Sequence, residues 1–262
     1  MLGAVIGDIA GSRYEKENIK SKDFVFIDQS CSMTDDSIMT FAIARAILDC
    51  NGDYTDLSRY AVQEMREIGL SFTNCGYSGK FLCWLFSDEP EPYGSYGNGA
   101  AMRVSACGFA AKSIEDAKDL AYKVTCVSHD HPEGLKGAEA TAVAVFLAKS
   151  GYDIEYIGKY IHENYYKMDF ALDEIRPTYS FDVSCQGSVP QAIKAFLEST
   201  SFEDAIRNAI SLGGDSDTIA AIAGGIAEAY YGIPEDIKAE AIEHITPQLL
   251  GIAREFEDKF QK

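Results

Sequence analysis

Gly213-Gly214-Asp215-Ser216-Asp217-Thr218-Ile219-Ala220-Ala221-Ile222-Ala223-Gly224-Gly225-Ile226-Ala227 is the stretch that decides the fold. Two glycines and four successive oxygen-bearing side chains open a run with apolar residues on every helical face, and such a helix is a buried one. Thr34-Asp35-Asp36-Ser37 opens a second run of the same kind, through Ile38, Met39, Phe41, Ala42, Ile43, Ala44, Ala46, Ile47 and Leu48. Four carboxylates therefore stand at the mouths of two buried helices, where unpaired negative charge is costly. Two explanations compete. Thr, Asp and Ser are preferred N-cap residues, and acidic groups in a first turn offset the helix dipole. Alternatively, one hard divalent cation site is shared between the two ends, since such ions take oxygen ligands from Asp and Thr. A cap needs one or two side-chain oxygens, whereas Asp215 to Thr218 supply four. The glycine and glutamate of a calcium loop are missing at positions six and twelve, so the cluster is not an EF-hand. The metal reading is favoured.

Outward from these two runs, helical periodicity covers most of the chain. It predicts helices over 2–11, 36–50, 55–69, 100–111, 114–127, 134–150, 153–166, 188–199, 202–212, 217–231 and 235–257. Strand signals are scarce; Phe24 to Ile27 is the best of them and reads as extended loop. The expected class is all-α. Between Ser71 and Asn98 the chain is rich in Gly, Tyr, Ser and Pro and reads as irregular, and long irregular stretches inside a compact domain are usually functional.

With 262 residues, 47% of them hydrophobic, and no Pro- or Ser-rich linker, the expectation is one domain over 1–262 with one large core. A net charge of −18 argues against a general nucleic-acid surface or binding to an anionic membrane. It leaves room for a small anionic ligand held by a metal and backbone N–H groups. Seven cysteines without a CxxC pair read as reduced thiols of a cytoplasmic protein. The apolar N-terminus is too short to span a membrane, lacks a basic n-region and carries Asp8 within the run.

Four loop segments are positioned in sequence to complete a site. Gly97-Asn98-Gly99-Ala100-Ala101-Met102-Arg103 places glycines before a helix, either as a phosphate cradle or as an ordinary Asn-Gly turn. Ser128-His129-Asp130-His131-Pro132 sets two histidines at a helix mouth, without the third ligand a zinc site needs, so polar contact to a ligand competes with a structural role. Gly11-Ser12-Arg13-Tyr14-Glu15 ends the first helix with a carboxylate that points into the same cavity or into solvent. Tyr77, Tyr93 and Tyr96 offer faces for stacking a base, or pack the loop onto the core.

In this order, Gly7 to Glu15, Thr34 to Ser37, Gly97 to Arg103, Ser128-His129 and Gly213 to Thr218 resemble the ADP-ribosylglycohydrolase family, from residue 2 to about 232. Each motif is weak alone, and five in the family's order are specific. The resemblance implies a compact orthogonal helical bundle with two divalent cations, Mg²⁺ or Mn²⁺, at the base of a cleft. It implies metal ligands at Thr34, Asp35, Asp36, Asp215, Asp217 and Thr218. Gly97, Asn98, Gly99, Ala100 and Met102 would line a groove for pyrophosphate and ribose, with His129 near the adenosine-side ribose. Glu15 or Asp36 would guide or deprotonate the attacking water, and Glu15 matches the glutamate of members that act on serine-linked ADP-ribose. Ser37 and Ser128 stand where the family often has Thr. The implied partner is an ADP-ribosylated protein or small ADP-ribose conjugate; the expected oligomeric state is a monomer. Cleavage of a serine- or other O-linked conjugate is expected first, arginine-linked second. The rival is a non-catalytic ADP-ribose binder or a crystallin-like structural protein of the same fold, in which the acidic clusters would be expected to erode; here all six positions are kept.

Overall fold

The computed structural model describes residues 1–261, and among them there is no strand, only one isolated bridge between Gly97 and Ser184. The helices are α1 (Leu2–Ser12), α2 (Asp35–Asp49), α3 (Leu57–Gly69), α4 (Gly79–Phe86), α5 (Gly99–Met102), α6 (Ser105–Ala110), α7 (Ile114–Thr125) and α8 (Pro132–Lys149). They continue as α9 (Ile154–Asn164), α10 (Leu172–Ile175), α11 (Cys185–Leu197), α12 (Phe202–Ser211), α13 (Ser216–Tyr231), α14 (Glu235–Ile242) and α15 (Pro247–Phe260). The all-α expectation holds. Helices α2 and α13 are buried over nearly their whole apolar length, as their sequences require.

Helix α13 is the axis of the molecule, packed against α1, α8, α11 and α12. Its contact with α1 is a backbone seam. A Cβ on Gly3 would lie 2.4 Å from the Gly224 oxygen, one on Gly7 2.1 Å from the Ala220 oxygen, and one on Gly11 2.5 Å from Asp217 Cα. Only glycine permits that approach. The seam sets Asp8, one position beyond Gly7, beside Asp217. Around it the apolar side chains form one contiguous core from Met1 to Phe256.

The structure corrects three expectations. The irregular stretch 71–98 contains α4, where the Ser78 side chain accepts from the Phe81 N–H at 3.3 Å and Phe81, Trp84 and Leu85 form the buried face. Flanking Gly, Tyr and Ser hid that short stripe. The helix expected over 100–111 is two helices, interrupted at Arg103-Val104, where the arginine side chain is turned fully into the protein. The helix expected over 235–257 breaks before Pro247, which cannot donate to a continuing helix and instead opens α15. The short α10 was not expected. No helix of the described residues is long and apolar enough to cross a membrane.

Candidate active site

A cavity of about 420 Å³, a size usual for small-molecule sites, opens where several helix ends converge. It is lined from the N-termini of α2 and α13, the turn before α5, the start of α4, the loop after α1 and the segment before α11.

The N-terminus of α2 is built on Asp8. This fully buried carboxylate accepts from the Thr34 N–H at 2.9 Å, the Thr34 hydroxyl at 2.6 Å, the Ser37 N–H at 3.0 Å and the Ser37 hydroxyl. Thr34 in turn caps α2 by accepting from the Asp36 N–H at 3.3 Å. Sequence reasoning gave Asp8 no role in the site. The signal was a lone carboxylate within an otherwise apolar helix, and a buried charge is kept only where it is paired.

The N-terminus of α13 follows a turn in which Gly213 and Gly214 have φ of 67° and 72°, a region open to glycine. Asn18 clamps this turn, accepting from the Gly214 N–H at 2.7 Å and donating to its carbonyl at 3.0 Å. Asp215 accepts from the Asn98 amide at 2.6 Å, which joins α13 to the turn before α5. The Thr218 hydroxyl donates to Asp36 at 3.2 Å, which joins α13 to α2. Asp8, Asp36 and Asp217 then bring carboxylate oxygens within 4.8 Å of one another.

So much buried acid is unstable as carboxylate alone. Burial pushes the Asp8 carboxyl up to about 6 and Asp35 up to about 7, the charge of Asp8 adding to the latter. Asp36 is raised well above the ordinary range, first by burial and then by the charges of Asp217 and Asp8. Asp217 is raised in the same way by burial and then Asp215. Burial also raises Asp215, partly offset by the bond from Asn98. One oxygen of Asp36, Oδ1, is buried with no hydrogen-bond partner among the described residues. An orphaned carboxylate oxygen amid an all-oxygen donor set fits a hard divalent cation.

The expected residues distribute as follows. Glu15, Thr34, Asp35, Asp36, Asp215, Asp217 and Thr218 all line the cavity, as do Gly97, Asn98, Gly99, Met102 and His129. Ala100 does not; it is fully buried beneath the turn. The Glu15 side chain has no hydrogen-bond partner among the described residues. His129 faces the glycine turn: its Nε2 would lie 3.3 Å from a Cβ at Gly99 and 3.8 Å from one at Gly97. His131 caps α8, accepting from the Glu133 N–H at 3.1 Å. Of the tyrosines, Tyr77 packs on Phe81 and Tyr93 on His129, while Tyr96 stays half exposed at the cavity. Among the apolar wall residues that were missed, Phe181 and Val183 are exposed, at 54% and 53%. Such exposure of large apolar groups at a cavity suits a ligand with a flat face, and no local pattern announced it.

The family model described as ADP-ribosylglycohydrolase matches residues 1–262. The chain is 28% identical to ADP-ribosylhydrolase ARH3 of Mus musculus, over 90% of this chain and 83% of that one. It is 25% identical to ADP-ribosylarginine hydrolase Tri1 of Pseudomonas putida, over 89% of this chain and 70% of that one. A solved structure titled ADP-ribosylglycohydrolase-related protein complex shares the fold with a TM-score of 0.65 and 21% identity, covering 98% of this chain and 95% of its own. The chain is a hydrolase and belongs to the ADP-ribosylglycohydrolase family.

Proposed function

We propose that the protein hydrolyses the glycosidic bond between ADP-ribose and an acceptor, an O-linked conjugate such as ADP-ribosylserine first and the arginine-linked conjugate second. The observation that carries it is the convergence of Asp35, Asp36, Asp215 and Asp217 on one cavity that also holds a glycine-walled turn and His129, with Asp8 buried behind Asp36 and Asp217. Thr34, Asp35, Asp36, Asp215, Asp217 and Thr218 are the residues that would hold two divalent cations, Mg²⁺ or Mn²⁺. Cations there supply Lewis-acid charge at the reacting sugar.

The remaining work falls to the chain's own side chains. Asp8 acts by holding Thr34 and Ser37, since its oxygens already accept four hydrogen bonds. The Gly97-Asn98-Gly99 turn lets a pyrophosphate approach closely because no Cβ stands in the way. Glu15 stands on a loop at the cavity edge, its carboxylate without a partner among the described residues. Departure of the acceptor builds positive charge on the ribose ring, and Glu15 guides water to that carbon and takes its proton, with Asp36 as the alternative base. The likeness of Gly11 to Glu15 to members acting on serine conjugates supports the O-linked choice. The likeness to a relative named for ADP-ribosylarginine supports the second.

Hydrolysis of a panel of serine-, arginine- and nucleobase-linked ADP-ribose and O-acetyl-ADP-ribose, with Mg²⁺ and after EDTA, tests the proposal. Glu15→Gln should lower kcat about 10²-fold or more while ADP-ribose affinity stays within about threefold. Full turnover after chelation removes the cations from the reading. Exclusive cleavage of the arginine conjugate with a fully active Glu15→Gln overturns both the acceptor and the base.

A further inference from the structure

Arg103 is the one arginine that is completely buried, 1% exposed, beneath the cavity. No carboxylate of the described residues pairs with it. Its Nη2 donates to the Ser128 hydroxyl at 2.8 Å, its guanidinium lies 5.7 Å from the centre of the Phe81 ring, and its Nε has no partner among the described residues. Keeping so expensive a group in a core calls for a use. Ser128 is also fully buried, and its hydroxyl oxygen lies 2.9 Å from Nδ1 of His129. These contacts form a short chain, guanidinium to hydroxyl to imidazole, whose direction is fixed at one end.

An arginine can only donate. The Ser128 oxygen therefore accepts from Arg103, and the single hydroxyl hydrogen remains to be placed. Were Nδ1 of His129 protonated, the ring would also donate to this oxygen, and the buried hydroxyl hydrogen would have nowhere to go. The nearby Thr125 carbonyl already accepts from the N–H groups of Ser128 and His129, at 3.1 and 2.8 Å. Leaving a buried donor unsatisfied disfavours that arrangement by roughly tenfold or more. Hence Ser128 donates to Nδ1, and the ring carries its hydrogen on Nε2, the nitrogen that faces the Gly97–Gly99 turn. Burial and then the nearby guanidinium charge hold the ring neutral.

We infer that Arg103 and Ser128 are positioning residues that fix His129 as the neutral Nε2–H tautomer, so that the ring gives a hydrogen-bond donor to an acceptor oxygen of the ligand, a phosphate or a ribose hydroxyl. The ligand's identity rests on the proposed hydrolase reading, while the tautomer is a property of the protein alone.

Long-range ¹H–¹⁵N NMR of the imidazoles in the unliganded full chain, at about pH 7.5, reads the tautomer directly. The His129 signals are identified by their loss in His129→Gln. The expected result is a protonated Nε2 and an unprotonated, hydrogen-bonded Nδ1. Ser128→Ala should give a mixture of tautomers and weaken ADP-ribose binding about tenfold. Ser128→Thr, which keeps the hydroxyl, should restore both, a rescue that a simple packing role would not give. A wild-type ring protonated on Nδ1 overturns the inference, as does a single unchanged tautomer in Ser128→Ala. A changed tautomer with unchanged affinity overturns the donor role toward the ligand. The expected tautomer in a protein that binds no ADP-ribose supports the tautomer assignment and overturns only the choice of ADP-ribose as the ligand.

Discussion

At the residue scale the site is governed by acid that is held protonated until something neutralises it. Asp8 at about 6 and Asp35 at about 7 titrate far above their ordinary value near 4. Between pH 4 and 7 the folded chain thus keeps protons that the unfolded chain has released, so stability falls as pH rises through this window. His129, held neutral, acts in the opposite sense below its ordinary value of 6.5, one group against five carboxyls raised in the same site. Metal-free protein should therefore melt on the order of 5 °C lower at pH 7.5 than at pH 5.5. Asp8→Asn should flatten the dependence in part and saturating Mg²⁺ should abolish it; differential scanning calorimetry with and without EDTA gives the answer. The two acidic clusters were legible in the sequence because their meaning is local, each at the mouth of a buried helix. Asp8 was not, because the four groups that explain it lie 26 to 29 positions away. Phe181 and Val183 owe their place to the fold alone.

At the element scale the α1–α13 seam sets the distances of the site. Gly7→Ala places a methyl group 2.1 Å from the Ala220 oxygen, and two packed backbones cannot absorb it without parting. We expect a loss of about 2–3 kcal/mol in urea unfolding, of the size found for overpacked cores. Turnover should fall with it, because Asp8 and Asp217 ride on the two helices that separate. Gly251→Ala, in α15 with nothing within 4 Å of the added methyl, should instead stabilise by about 0.5–1 kcal/mol. Long helices with an all-round apolar surface announced themselves in the sequence, and α2, α8 and α13 lie close to their expected bounds. Short helices did not. In α4 three buried side chains set the face, too few for periodicity to stand out from the glycine and tyrosine around it. The break before α15 had a visible cause in Thr246-Pro247, where proline's missing N–H outweighed the continuing apolar pattern.

For the whole molecule, a net charge of −18 surrounds a cavity proposed to take a pyrophosphate. Like charges slow encounter, and salt relieves this within a Debye length, about 20 Å at 20 mM and about 7 Å at 200 mM. With Mg²⁺ saturating, stopped-flow association of ADP-ribose should accelerate several-fold across that range; a rate that falls with salt would show that the cavity's own field is positive. The same molecule also has a history written into its contacts. Asp36 and Thr218, hydrogen-bonded at the site, are separated by 182 positions, and Asn98 and Asp215 by 117. During translation α1 and α2, which carry Asp8 and its partners Thr34 and Ser37, leave the ribosome before α13. Their second half is still unsynthesised until α13 appears. A nascent chain therefore carries half of an acidic pocket while residues 38 to 212 are made and gains the rest in a single step. Catalytic competence thus waits on α13, and a chain truncated before residue 213 should be inactive because it carries only half of the acidic pocket.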